Sequence, residues 1–102
     1  MGPQRIGAED VRRKQLAGEP ILLVSACDRR QHECLHLEGA VAFEDLEAPL
    51  GKGHEIVFYA SDEKEAERHA EAFYEKGYVN AKVLDGGIAA WKRAGFPVAL
   101  GT

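Results

Sequence analysis

Apolar positions along the chain fall into short runs broken by charge, and their spacing is of two kinds. Across Ala8 to Gly18, the residues Ala8, Val11 and Leu16 are candidates for one face of a short helix, with Gly18 as its stop. Ile21-Leu22-Leu23-Val24 is apolar at every position, which suits a strand covered on both sides, as in a parallel sheet flanked by helices. The polar stretch Asp28 to Glu33 reads as a loop or one helical turn. Ala40-Val41-Ala42-Phe43 reads as a short strand, and Asp45-Leu46-Glu47 as the opening of a brief helix closed by Pro49.

Gly51-Lys52-Gly53-His54 is turn chemistry, and it launches Ile56-Val57-Phe58-Tyr59-Ala60, whose β-branched and aromatic content marks the clearest strand. The clearest helix follows, from Asp62 to Lys76. Ala66, Ala70 and Phe73 recur there at helical spacing, Glu63, Lys64, Glu67, Arg68, Glu71 and Glu75 are left for water, and Gly77 ends the run. Ala81-Lys82-Val83-Leu84 is a last short strand, and Asp85-Gly86-Gly87 turns it into a helix from Ile88 to Ala94, ended by Gly95 and Pro97. Strands alternating with helices predict an α/β domain built on a small, largely parallel sheet of about five strands with helices on both faces.

Composition narrows this picture. With 102 residues, the chain is long enough for one core and too short for two domains of usual size, so residues 1–102 are expected to form a single domain. The net charge of −4 disfavours nucleic acid and anionic membrane surfaces as partners. No apolar run approaches the length of a bilayer span, and the start, Met1-Gly2-Pro3-Gln4-Arg5, lacks the apolar stretch of a secretory signal. The expected compartment is therefore the cytoplasm, where Cys27 and Cys34 would be thiols.

The stretch from Gly77 to Trp91, containing Gly77-Tyr78-Val79-Asn80, Leu84, Gly86-Gly87 and Ala90-Trp91, followed by Ala94-Gly95-Phe96-Pro97-Val98, resembles the C-terminal signature of the rhodanese-like family. That signature runs G-F-x-N-V-x-x-L-x-G-G-x-x-A-W and then A-G-x-P-V. Upstream, His36-Leu37-Glu38-Gly39-Ala40 is similar to the family's G-H-I-P-G-A segment, with Leu35 for its first glycine and Glu38 for its proline. Arg5-Ile6 through Leu22 is similar to the opening helix and first central strand, so the resemblance covers nearly the whole chain.

The resemblance implies sulfur transfer by a cysteine that ends the central strand and becomes a persulfide within a loop of pattern C-x-x-G-x-R-S. A thiolate is the nucleophile, and a helix N-terminus with inward N–H groups lowers its pKa and holds an anionic donor. On this chain the loop is Ala60-Ser61-Asp62-Glu63-Lys64-Glu65-Ala66, with Ala60 in the place of the cysteine, Glu63 of the glycine and Glu65 of the arginine. The loops of cysteine-dependent phosphatases need the same cysteine and arginine, so that reading fails with it. Asp62 three residues before Glu65 predicts a capping box, and the three carboxylates at this helix start would repel thiosulfate or phosphate. The expectation is an inactive rhodanese-homology domain that serves as a binding or regulatory module for a protein partner.

Other residues compete for chemistry. Ser25-Ala26-Cys27 replaces the family's Asp-Val-Arg after the first central strand, so the alternative function is a sulfurtransferase that carries sulfur on Cys27 or Cys34. Arg29 and Arg30 could lower the Cys27 pKa by folding back. Cys27, His32, Cys34 and His36 are zinc-ligating types, but their spacing matches none of the usual structural zinc patterns, and the resemblance assigns His36 a structural place. Neither a metal nor a cofactor is expected. Trp91 reads as a core anchor, and His54 and His69 have no evident partner.

Overall fold

The two apolar, β-branched runs lie side by side at the centre of the sheet. In the computed structural model, which describes residues 2–26, 30, 35–43, 46 and 51–100, they are β2 (Ile21–Ser25) and β5 (Glu55–Tyr59), paired in parallel from Ile21↔Glu55 to Ser25↔Tyr59. The other strands are β1 (Gln4–Ile6), β3 (His36–Leu37), β4 (Val41–Ala42), β6 (Ala81–Leu84) and β7 (Val98–Ala99). Strands in the order β1-β6-β5-β2-β4 form a five-stranded sheet whose every pairing is parallel, and β3 pairs antiparallel with β7 beside it. Three helices are present among the described residues: α1 (Ala8–Leu16), α2 (Glu63–Glu75) and α3 (Gly87–Arg93).

Alternation along the strands divides the core into two layers. Leu23, Val57, Tyr59 and Leu84 pack with Val11 of α1 and Trp91 of α3 on one face. Val24, Ile56, Phe58 and Val83 pack with Ala66 and Ala70 of α2 on the other. The α/β fold with helices on both faces is therefore the one the alternating pattern predicts, and Trp91 is the core anchor it suggests. Its indole is fully buried, donates from Nε1 to the Pro97 carbonyl at 2.8 Å and meets Phe96 edge to face.

One apolar position departs from expectation. Leu16 is 73% exposed, while Ala8 and Val11 are buried. At about 100° per residue, Leu16 lies about 140° round the helix from Val11 and cannot share its face. The reading of residues 28–33 as a loop or turn and that of Asp45-Leu46-Glu47 as a helix fall largely outside the described residues.

The amino-terminal edge of the sheet carries a half-buried charge cluster. The Glu55 carboxylate accepts from Lys14 Nζ at 2.8 and 3.0 Å and from Lys82 Nζ at 2.7 Å. Burial pushes the Glu55 carboxyl up, but the bonds from Lys14 and Lys82 and their charges outweigh it and hold the group below the ordinary carboxylate range. Among the described residues, no helix is long and apolar enough to cross a membrane.

Candidate functional site

In an open parallel sheet the crevice beyond the carboxyl ends of the strands is the usual place for a ligand. Here β2 and β5 end together, with the Ala26 N–H donating to the Tyr59 carbonyl at 2.7 Å. Ala60 follows directly and is 4% exposed, whereas Ser61 and Asp62 are exposed. Asp62 is the N-cap of α2: its backbone is extended, and Oδ1 accepts from the Lys64 N–H at 3.0 Å. The segment Ala60 to Ala66 is thus one turn of chain leading into the first turn of α2, with Ala66 buried under the helix.

The N-cap forms but the predicted capping box does not, because the Asp62 carboxylate takes the Lys64 N–H rather than that of Glu65. The Glu65 N–H donates to the Asp62 carbonyl at 3.0 Å, but the Glu65 carboxylate pairs with Arg68 Nη2 at 3.0 Å on the same helix. The local i,i+3 partner wins because it is a charge rather than a neutral amide. Glu63 is likewise paired, with Arg5 Nη2. Two of the three loop carboxylates are therefore matched by guanidinium groups, and the loop is less one-sidedly negative than its sequence suggests.

Arg5 is the functional-site residue that sequence reasoning missed. From β1 its guanidinium reaches three carboxylates: Nε donates to Asp85 Oδ1 at 3.0 Å, Nη1 to Glu67 Oε1 at 2.9 Å and Nη2 to Glu63. The bonds it donates to Asp85 and Glu67, opposed by desolvation and aided by Glu63, hold its proton more tightly than in a free arginine. The only signal in the sequence is an arginine beside Ile6 in a strand too short to recognise. His69 was missed as well: Nδ1 lies 2.9 Å from the Glu65 carbonyl, and the ring meets Phe43 edge to face at 4.6 Å between centroids.

The two glycines after Asp85 close the site from the other side. Gly86 is the N-cap of α3 with φ +77°, and a Cβ there would come within 2.6 Å of the Ala90 Cβ. Gly87 has φ +57°, and its Cβ would stand 3.4 Å from the Ala60 carbonyl oxygen and 4.0 Å from the Glu63 Cγ. The distances at Gly87 are ordinary contacts, so it is the left-handed backbone at both positions, and at Gly86 the Ala90 methyl, that call for glycine in the turn beside Ala60.

These features meet in a recognisable place. The profile of the rhodanese-like domain matches residues 8–94. The chain belongs to the rhodanese-like family. The crystal structure of the Alr3790 protein from Anabaena sp. superposes on this rhodanese-like domain with a TM-score of 0.85 at 26% identity, covering 93% of this chain and 91% of that one. The solution structure of the rhodanese-like domain of Alr3790 gives a TM-score of 0.77 at 27% identity, covering 98% and 80% of the two chains. A thiosulfate sulfurtransferase from Pseudomonas aeruginosa shares the fold, with a TM-score of 0.89 at 21% identity over 97% of this chain and 20% of that one. A search of curated proteins finds no match.

Of the other candidates in this rhodanese-like domain, Cys27, His32 and Cys34 lie outside the described residues. His36 is buried on β3, paired with Ala99 of β7. No group of three or more metal-ligating side chains occurs among the described residues. Ser25, at the end of β2, is fully buried, and its hydroxyl has no hydrogen-bond partner among the described residues.

Proposed function

We propose that this rhodanese-like domain is catalytically inactive and acts as a binding or regulatory module for a protein partner. The observation that carries the reading is Ala60, the first residue after the central strand β5, where the resemblance to the family calls for the nucleophilic cysteine. A methyl group can neither attack a sulfur donor nor hold a persulfide. The surroundings support the reading. Asp62 fills the start of α2 from within, Glu65 stands where an anion-binding arginine belongs, and its carboxylate faces Arg68. What survives is the packed sheet-and-helix scaffold with a polar rim at the usual ligand edge.

A second reading, sulfur transfer through Cys27 or Cys34, has one observation in its favour. The bond from the Ala26 N–H to the Tyr59 carbonyl holds the chain just before Cys27 against the strand that leads to Ala60. A thiosulfate:cyanide assay on the purified protein, with mass spectrometry after exposure to thiosulfate or polysulfide, separates the two. The expected result is no turnover above buffer and no stable gain of sulfur. Turnover that disappears in the Cys27→Ser, Cys34→Ser double variant would replace the inactive reading with the sulfurtransferase one.

A further inference from the structure

The Ala60 loop and the β6–α3 turn meet along a seam beside the carboxyl end of β5. Gly87 sits on one side of this seam and the Ala60 carbonyl on the other. Arg5 spans it. Its Nη1 and Nη2 hold Glu67 and Glu63, on the first two turns of α2, while Nε holds Asp85, the residue before the glycine pair. The backbone adds to the tie, since the Asp85 N–H donates to the Ile6 carbonyl at 2.8 Å. We propose that Arg5 is a latch that keeps the 60–66 loop shut against the Gly86–Gly87 turn.

The chemistry suits a latch better than a permanent weld. An isolated exposed ion pair contributes little, but one planar fork serving three acceptors has its orientation fixed by each bond in turn. All four side chains remain partly exposed, so salt or a competing cation can reach them. Three carboxylates also outnumber the one guanidinium, so displacement of Arg5 would leave them mutually repelling and would drive the two sides of the seam apart. That the latch controls a partner's access rests on the reading of this loop as the interaction site; the latch itself does not.

Hydrogen exchange on the whole chain tests it. In Arg5→Met, which keeps the aliphatic stem, amides of residues 61–67 and 85–88 should exchange about fivefold faster than in the parent, the size expected for a modest surface network. Amides of β2 and β5 should not change. Glu67→Gln, which removes one anchor and leaves β1 untouched, should give a smaller acceleration in the same two segments, and Arg5→Lys should fall between parent and Arg5→Met. Added salt should accelerate the same segments in the parent and leave Arg5→Met unmoved. As a second readout, an Ala60→Cys reporter thiol should react faster with neutral iodoacetamide when Arg5→Met is added. Unchanged loop exchange in Arg5→Met, or an acceleration spread evenly through β2 and β5, overturns the proposal. No readout involves sulfur transfer or a partner, so failure here leaves the reading of Ala60 standing, and turnover in the thiosulfate assay leaves the latch standing.

Discussion

Asp62 turns a carboxylate back onto the Lys64 amide, and this local bond is the kind of contact that a sequence announces, because donor and acceptor lie two residues apart. Asp62→Ala is expected to lower the unfolding free energy by about 1 kcal/mol, and Asp62→Asn to leave it nearly unchanged, in urea melts at neutral pH. A parent-like Asp62→Ala would mean that α2 starts without its cap. Gly86 makes a harsher demand. With φ +77° and Ala90 in the way of any Cβ, Gly86→Ala should cost at least about 1 kcal/mol in the same melts. Arg5 stood outside this kind of reading for a plain reason: its partners lie 58 to 80 residues away, and no local pattern links a strand residue to them.

The longer elements were the most legible, and of the shortest strands only β4, inside the apolar run Ala40 to Phe43, could be read. Helix α2 repeats its apolar positions over several turns, and β2 and β5 are long enough for composition to speak. Strands β1, β3 and β7 have two or three residues each and exist only because a neighbour pairs with them, so nothing in their own sequence distinguishes them from loop. The cluster that joins α1, β5 and β6 through Lys14, Glu55 and Lys82 makes a pH-dependent contribution. The folded Glu55 carboxyl has a lowered pKa, so the unfolded chain binds more protons, and stability rises with pH across that window. The contribution is complete above the unfolded value of about 4.3 and fades as pH falls through the folded one. Glu55→Gln should therefore be clearly less stable than the parent at pH 7, and the gap should narrow in strongly acidic buffer. A gap independent of pH would remove the ion pairs as its cause.

At the scale of the whole molecule, the loop's charge cannot be judged from the loop alone. Arg5 and Arg68 soften the repulsion that Glu63 and Glu65 would exert on an anion, yet neither supplies what Ala60 lacks. Ala60→Cys alone is expected to give little thiosulfate turnover. Adding Glu63→Gly and Glu65→Arg should raise it by about tenfold or more, by returning a flexible position and an anion-binding guanidinium to the loop. Equal turnover in the single and triple variants would show that charge at this loop does not govern the reaction. Glu63→Gly also takes one of the three acceptors from Arg5, so the triple variant should expose the reporter thiol more than the single one does.

The pairing of β1 with β6 joins residues far apart in the chain, Gln4 with Lys82, and among the described residues β1 has no other ladder partner. During synthesis β1 emerges before β6 and must wait for this partner until Ala81 to Leu84 have been made. The remaining strands of the sheet are adjacent without it and can assemble first. Completion of this edge is therefore a late event with a large loop to close, and it should appear in refolding as the step whose rate is most sensitive to changes at Ile6 and Leu84.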